Sequence, residues 1–297
     1  MTVYNQADSN IRKTYFLIGL FFVLVIAFGW LFSYALDNQA ILFIAIAVSF
    51  FQSIISYWYS DKIVLAVTKA REIKETEFRE PYRLLENLTI ASGLPMPKFY
   101  YLDETQPNAF ATGRDPNHSA IVITRGLVEK LDKTELEGVL AHELSHIGNR
   151  DSLLMTVAVI LAGLISIMAN LFLRIGFRRR KSDNEGQLGI ILMVFGIVAA
   201  VLAPLAASLI QLAISRKREF LADASAVLLT RYPDGLIQAL EKISQDKSPM
   251  KVANTATAHL YIANPFKGEQ ANSWFTKLFM THPPIEERIK SLRGVNI

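Results

Sequence analysis

The sequence contains no cysteine, only 5 histidines among its 297 residues, and few charged residues, at 20% of the chain. Without cysteine there is no disulfide framework, and any zinc site must be built from His, Asp or Glu. The net charge is small, +4, and the basic residues cluster beside apolar runs. This distribution fits membrane topology better than nucleic-acid binding.

Apolar residues are abundant instead, and they are concentrated rather than spread evenly. They make up 51% of the chain and gather in four uncharged runs, residues 15–36, 40–59, 152–173 and 187–215. Because a helix rises about 1.5 Å per residue, about 20 residues cross a hydrocarbon core of about 30 Å. We therefore predict a membrane hairpin within residues 1–60, with spans at 15–36 and 40–59, and a second apolar hairpin within residues 152–215.

Basic residues flank the first hairpin on both sides. Arg12 and Lys13 precede the first run, Lys62 and Lys69 follow the second, and the loop between the runs contains no Lys or Arg. The positive-inside rule then places both ends of the hairpin in the cytoplasm. A cleavable signal peptide is a poor alternative, since the first apolar run is too long and leads directly into a second one.

A basic linker, residues 174–181, joins the third and fourth runs. If both runs cross the membrane, the linker faces outward, against the charge rule; a shallow hairpin or a pair packed within the protein are the alternatives. In each arrangement the chain leaves the second hairpin on the same side of the membrane as it entered. The soluble segments, residues 61–151 and 216–297, are therefore predicted to lie together on the cytoplasmic side.

The predicted fold is mainly α with a small β-sheet. Hydrophobic periodicity and turn residues predict strands at 98–102, 108–112 and 120–124, and helices at 81–91, 127–131, 133–149 and 285–292. Thr134 with Glu137 three residues later predicts a capping box at the start of the 133–149 helix. A loop-like stretch at 248–270 interrupts the C-terminal helices, and its length and composition suggest a gate.

The 133–149 helix contains His-Glu-x-x-His at residues 142–146. Positions four apart lie one turn apart on the same helix face, so His142 and His146 can both face one metal ion. Glu143 lies beside that face, where it can handle the proton of a water molecule. At the His and Glu frequencies of this chain, roughly 0.004 copies of the pattern are expected by chance, so the match is specific. The spacing is typical of a zinc metallopeptidase.

A catalytic zinc usually has three protein ligands, and the motif supplies two. Glu219 and Asp223 follow the fourth apolar run and lie one turn apart on the same face of a predicted helix. Both ligand-bearing helices would then begin or end at the same membrane surface. Glu219 is the predicted third ligand, and Asp223 is predicted to orient a ligand imidazole. The alternative is a solvated, charged helix end near a membrane.

Taken in order, these motifs resemble the HtpX family of membrane zinc proteases. The features that carry the resemblance are two N-terminal spans, Asn-Ala-Phe-Ala-Thr-Gly at 108–113, the motif at 142–146, Glu-x-x-x-Asp at 219–223 and Thr-His-Pro-Pro at 281–284. The resemblance covers nearly the whole chain. It implies a multi-pass endopeptidase of the cytoplasmic (inner) membrane with one zinc ion per chain, a zincin-like catalytic domain facing the cytoplasm, and a role in membrane-protein quality control.

The resemblance also implies roles for individual residues. His142, His146 and Glu219 match zinc ligands, and Glu143 matches the general base. His282 and Arg288 match a pair that lies near the reacting carbonyl in the related CAAX prenyl proteases, where they would stabilise the oxyanion. The substrate main chain would pair with an edge strand, a mode of recognition that depends little on side chains; the strand residues are Asn108, Ala109, Phe110, Ala111 and Thr112.

The expected partners are membrane-protein or unfolded polypeptide substrates and the lipid bilayer, with no nucleic acid. A homo-oligomer or association with other membrane quality-control proteins is left open. Two alternatives differ in function: a narrow-specificity processing protease of the prenyl-protease type, and a non-catalytic membrane scaffold. Only four apolar runs, without an enclosed multi-span chamber, disfavour the first. The intact ligand set together with Glu143 disfavours the second.

Overall fold

Helices dominate the part of the chain that the computed structural model describes, namely residues 3–35, 37–158, 160–161, 196, 216–248, 250, 260–265 and 283–294. In chain order the elements are α1 (Val3–Ala35), α2 (Ala40–Trp58), α3 (Ser60–Thr68), β1 (Arg71–Glu72), α4 (Arg79–Ser92), β2 (Lys98–Leu102), β3 (Ala109–Asp115), β4 (His118–Thr124), α5 (Arg125–Lys130), α6 (Lys133–Gly148), α7 (Arg216–Thr230), α8 (Pro233–Gln245) and α9 (Ile285–Arg293). Residues 151–158 are helical as well. The predicted mainly helical fold with a small sheet is confirmed.

The first two helices are the candidate membrane spans. Their apolar stretches, Ala7–Leu31 and Ala40–Trp58, contain 25 and 19 residues, long and apolar enough to cross a membrane. The two helices pack closely, since a Cβ atom on Gly29 would lie 2.2 Å from the Cβ atom of Ala45. Large apolar side chains along both helices face outward, as a lipid environment requires. The predicted spans at 152–173 and 187–215 lie mostly outside the described residues.

The polar N-terminal leader is part of the first helix. α1 begins at Val3 and runs through the leader without interruption. Two polar side chains in this part of the helix, Asn10 and Thr14, are buried, with 1% and 0% of their surface exposed. Burial of polar groups requires hydrogen-bond partners. Asn10 finds them in distant parts of the chain, whereas Thr14 bonds to the carbonyl of Asn10 in the same helix.

The sheet has the strand order β1-β2-β4-β3, so β3 is an edge strand among the described residues. β2 pairs with β4 in parallel, and β3 pairs with β4 as an antiparallel hairpin. Alternate β4 side chains enter two apolar clusters: Ile121 and Ile123 pack against the face that carries α6, whereas Ala120 and Val122 pack against α1, α3 and residues 153–161. Burial on both faces explains why this strand is a continuous apolar run.

α6 begins at Lys133 as predicted, but its capping residues differ from the prediction. The capping box consists of Asp132 and Glu135, so the predicted pair of Thr134 and Glu137 is wrong. The Asp132 carboxylate accepts hydrogen bonds from the amides of Thr134 and Glu135 at 2.9 and 3.0 Å, and Glu135 accepts one from the Asp132 amide at 2.8 Å. This register also allows the buried Glu135 carboxylate to pair with Lys242 on α8 at 2.7 Å. The contact of Glu135 with Lys242, distant in sequence, thus favours the capping box formed by Asp132 and Glu135.

The other predicted elements agree with the structure to within a few residues. The strands at 98–102, 108–112 and 120–124 correspond to β2, β3 and β4, and the helices at 81–91, 127–131, 133–149 and 285–292 correspond to α4, α5, α6 and α9. α6 lies at the centre, packed against α4, α7 and α8. Gly138 permits a close approach of α8, because a Cβ atom there would lie 2.8 Å from the backbone nitrogen of Leu236.

Candidate metal centre

Two neighbouring helices bring the predicted ligands together. His142 and His146 lie one turn apart on α6, and Glu219 lies in the first turn of α7, which packs against α6. Glu143, next to His142, is buried with them. The structure therefore gathers into one buried cluster residues that are more than seventy positions apart in the chain.

The donor atoms have the separations that a tetrahedral metal requires. The Nε2 atoms of His142 and His146 are 3.1 Å apart, and they lie 3.8 and 3.6 Å from the carboxylate oxygens of Glu219. Zinc–ligand distances of about 2.0–2.1 Å in tetrahedral geometry place neighbouring ligand atoms about 3.3 Å apart. The observed values lie on both sides of this spacing, so the three side chains fit one zinc ion.

Each imidazole is held by a carboxylate at its other nitrogen. The Nδ1 atom of His142 lies 2.9 Å from an oxygen of Asp223, and the Nδ1 atom of His146 lies 3.2 Å from an oxygen of Asp151. A hydrogen bond from each Nδ1–H to its carboxylate leaves Nε2 unprotonated and aimed at the metal position, as in carboxylate–histidine–zinc triads. The predicted position of Asp223 beside a ligand imidazole agrees with this geometry.

Asp151 was not identified from the sequence. The chain turns sharply between α6 and residues 151–158, with Arg150 in the left-handed region (φ 59°), and this turn brings Asp151 back beside His146. The one available signal was an acidic residue directly before the third apolar run, five positions after His146. Sequence spacing alone does not show that the chain turns there.

Arg288 from α9 lies behind this arrangement and is fully buried. It donates two hydrogen bonds to Asp223, from Nε to one carboxylate oxygen at 2.9 Å and from Nη2 to the other at 2.6 Å. A third, from Nη1, reaches the carbonyl oxygen of Ile262 at 3.2 Å. The predicted proximity of Arg288 to the site is thus observed, whereas its predicted partner, His282, lies outside the described residues.

The pKa values in the metal-free cluster follow from this charge arrangement. Burial alone would raise the pKa of Asp223, but the Arg288 charge and hydrogen bonds from His142 and Arg288 lower it to about 2. Burial and the Arg288 charge lower the pKa of His142 to about 4, although Asp223 opposes them. Asp223 is therefore ionised and His142 neutral at neutral pH, the states that metal binding requires.

The pKa of His146 shifts in the opposite direction to that of His142. Burial lowers its pKa, but the hydrogen bond to Asp151 and the negative charges of Glu219, Asp151 and Glu143 outweigh burial and raise the pKa to about 9. Without metal, the surrounding carboxylates thus stabilise a positive charge at this position. A divalent cation bound to the same donors would satisfy these carboxylates in place of the proton.

The edge strand passes beside the cluster. The amide of Thr124 donates to the carbonyl of Asn108 at 3.0 Å, and antiparallel pairs alternate, so Ala109, Ala111 and Gly113 direct their main-chain groups toward the free edge. The predicted strand residues Asn108 to Thr112 are all buried. They therefore combine a buried setting with main-chain groups available for pairing.

Part of this edge is paired with residues 260–263, which belong to the stretch predicted as a gate. The amide of Ile262 donates to the carbonyl of Ala109 at 2.9 Å. The side chain of Asn108 bonds to both main-chain groups of Ala263, at 2.9 and 3.2 Å. Since the Ile262 carbonyl also accepts a hydrogen bond from Arg288, this segment joins the edge strand to the residues behind His142.

A buried His-Glu-x-x-His helix, with a carboxylate donor on a neighbouring helix completing the ligand set, defines a zinc-dependent metallopeptidase. Comparison with known proteins agrees. The sequence profile of peptidase family M48 matches residues 75–296. The chain belongs to peptidase family M48, a family of zinc metalloproteases, and within it to the HtpX proteases.

Two relatives indicate how far the similarity extends. "Protease HtpX homolog" of Caldanaerobacter subterraneus subsp. tengcongensis is 44% identical, with 100% of this chain and 99% of the relative covered. "Protease HtpX homolog" of Dictyoglomus thermophilum is 45% identical, with 98% of this chain and 94% of the relative covered. The resemblance identified from the motifs is therefore confirmed over the full length of the chain.

Among solved structures, the crystal structure of S. mikatae Ste24p is similar with a TM-score of 0.49 and 19% identity, over 97% of this chain and 67% of that one. A likeness at this level falls short of showing a shared fold. The family assignment depends on the sequence matches, which are far stronger.

Proposed function

We propose that this protein is a zinc-dependent endopeptidase of the cytoplasmic membrane that hydrolyses misfolded or damaged membrane proteins on the cytoplasmic side. The observation that carries the proposal is the buried group of His142, His146 and Glu219: the two Nε2 atoms are 3.1 Å apart, and each lies 3.6–3.8 Å from one of the two Glu219 carboxylate oxygens. In this proposal these three residues are the zinc ligands, one ion per chain, and the remaining coordination position is left for the reaction.

Zinc, when bound, supplies Lewis-acid chemistry that makes water a nucleophile near neutral pH and polarises the scissile carbonyl. Glu143 then acts as the general base and general acid: it accepts a proton from the attacking water and delivers it to the leaving amine. Its place next to His142 on α6, buried with the ligands, supports this role.

The carboxylates behind the ligands hold the imidazoles in the productive tautomer. Asp223 fixes His142 and Asp151 fixes His146, each through an Nδ1–H hydrogen bond. Arg288 keeps Asp223 ionised and restrains its rotation through two hydrogen bonds. Because Arg288 is fully buried and three of its five N–H donors are committed to Asp223 and Ile262, a positioning role is better supported than direct contact with the oxyanion.

Substrate recognition would use the free edge of β3. The carbonyl of Ala109 already accepts a hydrogen bond from Ile262, so an extended peptide would add a strand at Ala111 and Gly113, without demands on its side chains. This mode of binding suits a protease that acts on varied unfolded sequences. The same property disfavours a narrow processing function, and the relatives named as proteases disfavour a non-catalytic scaffold.

The location follows from charge and contact. The N-terminal turns of α1, which carry Arg12 and Lys13, lie against the chain around the metal centre, because Asn10 bonds to Asp151. Positive charge marks the cytoplasmic end of a membrane helix. The catalytic centre would therefore lie at the cytoplasmic surface, close to where damaged membrane proteins expose unfolded segments.

The direct test uses the full chain, purified in detergent without zinc, and a casein-like unfolded substrate. We expect cleavage only after zinc is added, and none after chelation. Glu143→Gln should bind zinc with unchanged stoichiometry and lose turnover by at least about 100-fold, because it removes general acid–base catalysis. Glu137→Gln, on the same helix but partly exposed and away from the cluster, is the matched control. Cleavage by zinc-loaded Glu143→Gln at the wild-type rate would contradict the assignment.

A further inference from the structure

One buried amide in the first membrane helix contacts the metal centre. Asn10 lies in the polar N-terminal turns of α1, just before the apolar run that starts at Tyr15, and its side chain is 1% exposed. Membrane anchoring does not require a polar group at such a position, and burying an amide costs free energy unless hydrogen bonds replace those lost to water. The partners of Asn10 therefore indicate what the residue does.

All three partners belong to the support of the metal centre. The Nδ2 atom of Asn10 donates to Oδ1 of Asp151 at 2.7 Å and to the carbonyl of Asn149 at 2.9 Å. Its Oδ1 atom accepts a hydrogen bond from Nη1 of Arg218 at 3.1 Å. Asn149 and Asp151 form the turn after His146, and Arg218 directly precedes Glu219 in the chain.

The two oxygens of the Asp151 carboxylate have different partners. Oδ2 lies 3.2 Å from Nδ1 of His146, while Oδ1 is held by Asn10 at 2.7 Å and by Nε of Arg218 at 3.3 Å. With Oδ1 fixed, the carboxylate has one orientation, and so does the imidazole that bonds to it. Only a residue with both a donor and an acceptor can join Asp151 and Arg218, and an amide does so without adding a charge.

We propose that Asn10 is a positioning residue of the metal centre, which acts through Asp151 on His146 and through Arg218 on the start of α7. α1 then supports the zinc site as well as anchoring the protein. Zinc affinity therefore depends on the position of α1 relative to Asp151 and Arg218. This inference rests on the proposed assignment of His146 and Glu219 as zinc ligands.

The test measures the zinc dissociation constant of the full chain in detergent, by competition with a chromophoric chelator. Asn10→Leu keeps the size of the side chain and removes both hydrogen-bonding functions. We expect zinc binding about tenfold weaker, within the range seen when partners of ligand residues are removed. The visible absorption spectrum of the Co²⁺-loaded variant should also change, because the imidazole orientation has changed.

Two further variants separate positioning from general damage. Thr14→Val removes another buried polar group of α1 and should leave zinc affinity unchanged. Among the described residues, the Thr14 hydroxyl bonds within its own helix, to the carbonyl of Asn10 at 2.9 Å. Asn10→Gln retains the amide and should recover most of the affinity lost in Asn10→Leu.

A double-mutant cycle with Asp151→Ala decides the mechanism. Because Asn10 acts through Asp151 as well as Arg218, the loss of zinc affinity caused by Asn10→Leu should be clearly smaller once Asp151 is removed, whereas a purely structural defect would add in full. Wild-type zinc affinity in Asn10→Leu, or additive losses in the cycle, would overturn the proposal. Failure of the unsubstituted protein to bind zinc would instead refute the ligand assignment on which the proposal rests.

Discussion

Arg288 and Asp223 form a fully buried, two-pronged ion pair directly behind a ligand imidazole. Both carboxylate oxygens of Asp223 accept hydrogen bonds from the guanidinium, at 2.9 and 2.6 Å, and one of them also lies 2.9 Å from Nδ1 of His142. A planar fork fixes the rotation of the carboxylate, which a single-point contact does not. The pair thereby transmits the position of α9 to the metal centre on α6.

Replacing Arg288 by Lys should therefore weaken both the fold and metal binding. Lysine cannot donate in the two-pronged geometry, and disruption of a buried ion pair typically costs about 3–5 kcal/mol. We expect a lower melting temperature and a zinc dissociation constant raised at least about tenfold. Differential scanning calorimetry and chelator competition measure these two quantities.

The control and the contrary outcome for this substitution are both specific. Arg293→Lys alters an exposed arginine of the same helix, paired with Glu241 at 3.0 Å, and should change stability by less than about 0.5 kcal/mol. If Arg288 instead contacted the oxyanion, Arg288→Lys would lower kcat at saturating zinc without a change in zinc affinity. That result would restore the role implied by the family resemblance.

Asp223→Asn should reduce zinc affinity about 10- to 100-fold while leaving the fold largely intact. The amide is almost isosteric, but it removes the negative charge that holds the Nδ1–H tautomer of His142. The chain offers a control with the same chemistry: Asp115 lies 2.9 Å from Nδ1 of the exposed His118, and neither residue belongs to the group of His142, His146 and Glu219. Equal zinc affinities for Asp223→Asn and Asp115→Asn would show that the orienting carboxylate is dispensable.

The sequence predicted the parts of this site that depend on local periodicity. His142 and His146 face the same way because both lie on one helix, and Glu219 and Asp223 do so for the same reason. Strand positions were likewise recovered from short apolar runs between turn residues. In each case the physical constraint acts within about one or two turns of chain, so the local pattern contains it.

The residues that support the site were not predictable in this way. Asn10 contacts Asp151 across 141 positions and Arg218 across 208 positions. The capping box of α6 was assigned to the wrong pair for a related reason, since the position of Glu135 is favoured by Lys242, 107 residues later. Such contacts are set by how helices pack, and a single sequence carries no periodic signal for them.

The protonation of His146 gives a pH prediction with a definite sign. Its pKa in the metal-free protein is raised from the ordinary 6.5 to about 9, so it keeps its proton over that interval, and zinc must displace that proton. The apparent zinc affinity should therefore rise up to about tenfold per pH unit between about pH 7 and 9. Above the raised pKa the contribution of His146 to this dependence should vanish.

NMR of ¹⁵N-labelled imidazoles in the metal-free protein tests the assignment residue by residue. His146 should remain charged until the pH approaches about 9, whereas His142 should remain neutral down to about 4. His118, exposed and outside the cluster, serves as the internal comparison. If His142 and His146 titrated together near the ordinary value, the asymmetric arrangement of carboxylates around them would have no electrostatic consequence.

Strand addition at β3 predicts that the enzyme forms main-chain hydrogen bonds with every second residue of the substrate. Ala109, Ala111 and Gly113 direct their main-chain groups toward the edge, where the Ala109 carbonyl is bonded to Ile262, whereas Phe110 and Thr112 pair with β4. In a peptide substrate, N-methylation at one set of alternate residues should lower kcat/KM by up to about tenfold per site, the value of one or two hydrogen bonds, and methylation of the intervening residues should have little effect.

A series of singly N-methylated peptides of one sequence provides its own controls, because every member carries the same side chains. Uniform sensitivity along the peptide would indicate steric exclusion, and insensitivity would place the substrate away from the edge. Alternating sensitivity of kcat/KM along the peptide would show that the enzyme binds the substrate through its main chain. Binding of this kind allows one active site to act on many unrelated unfolded sequences.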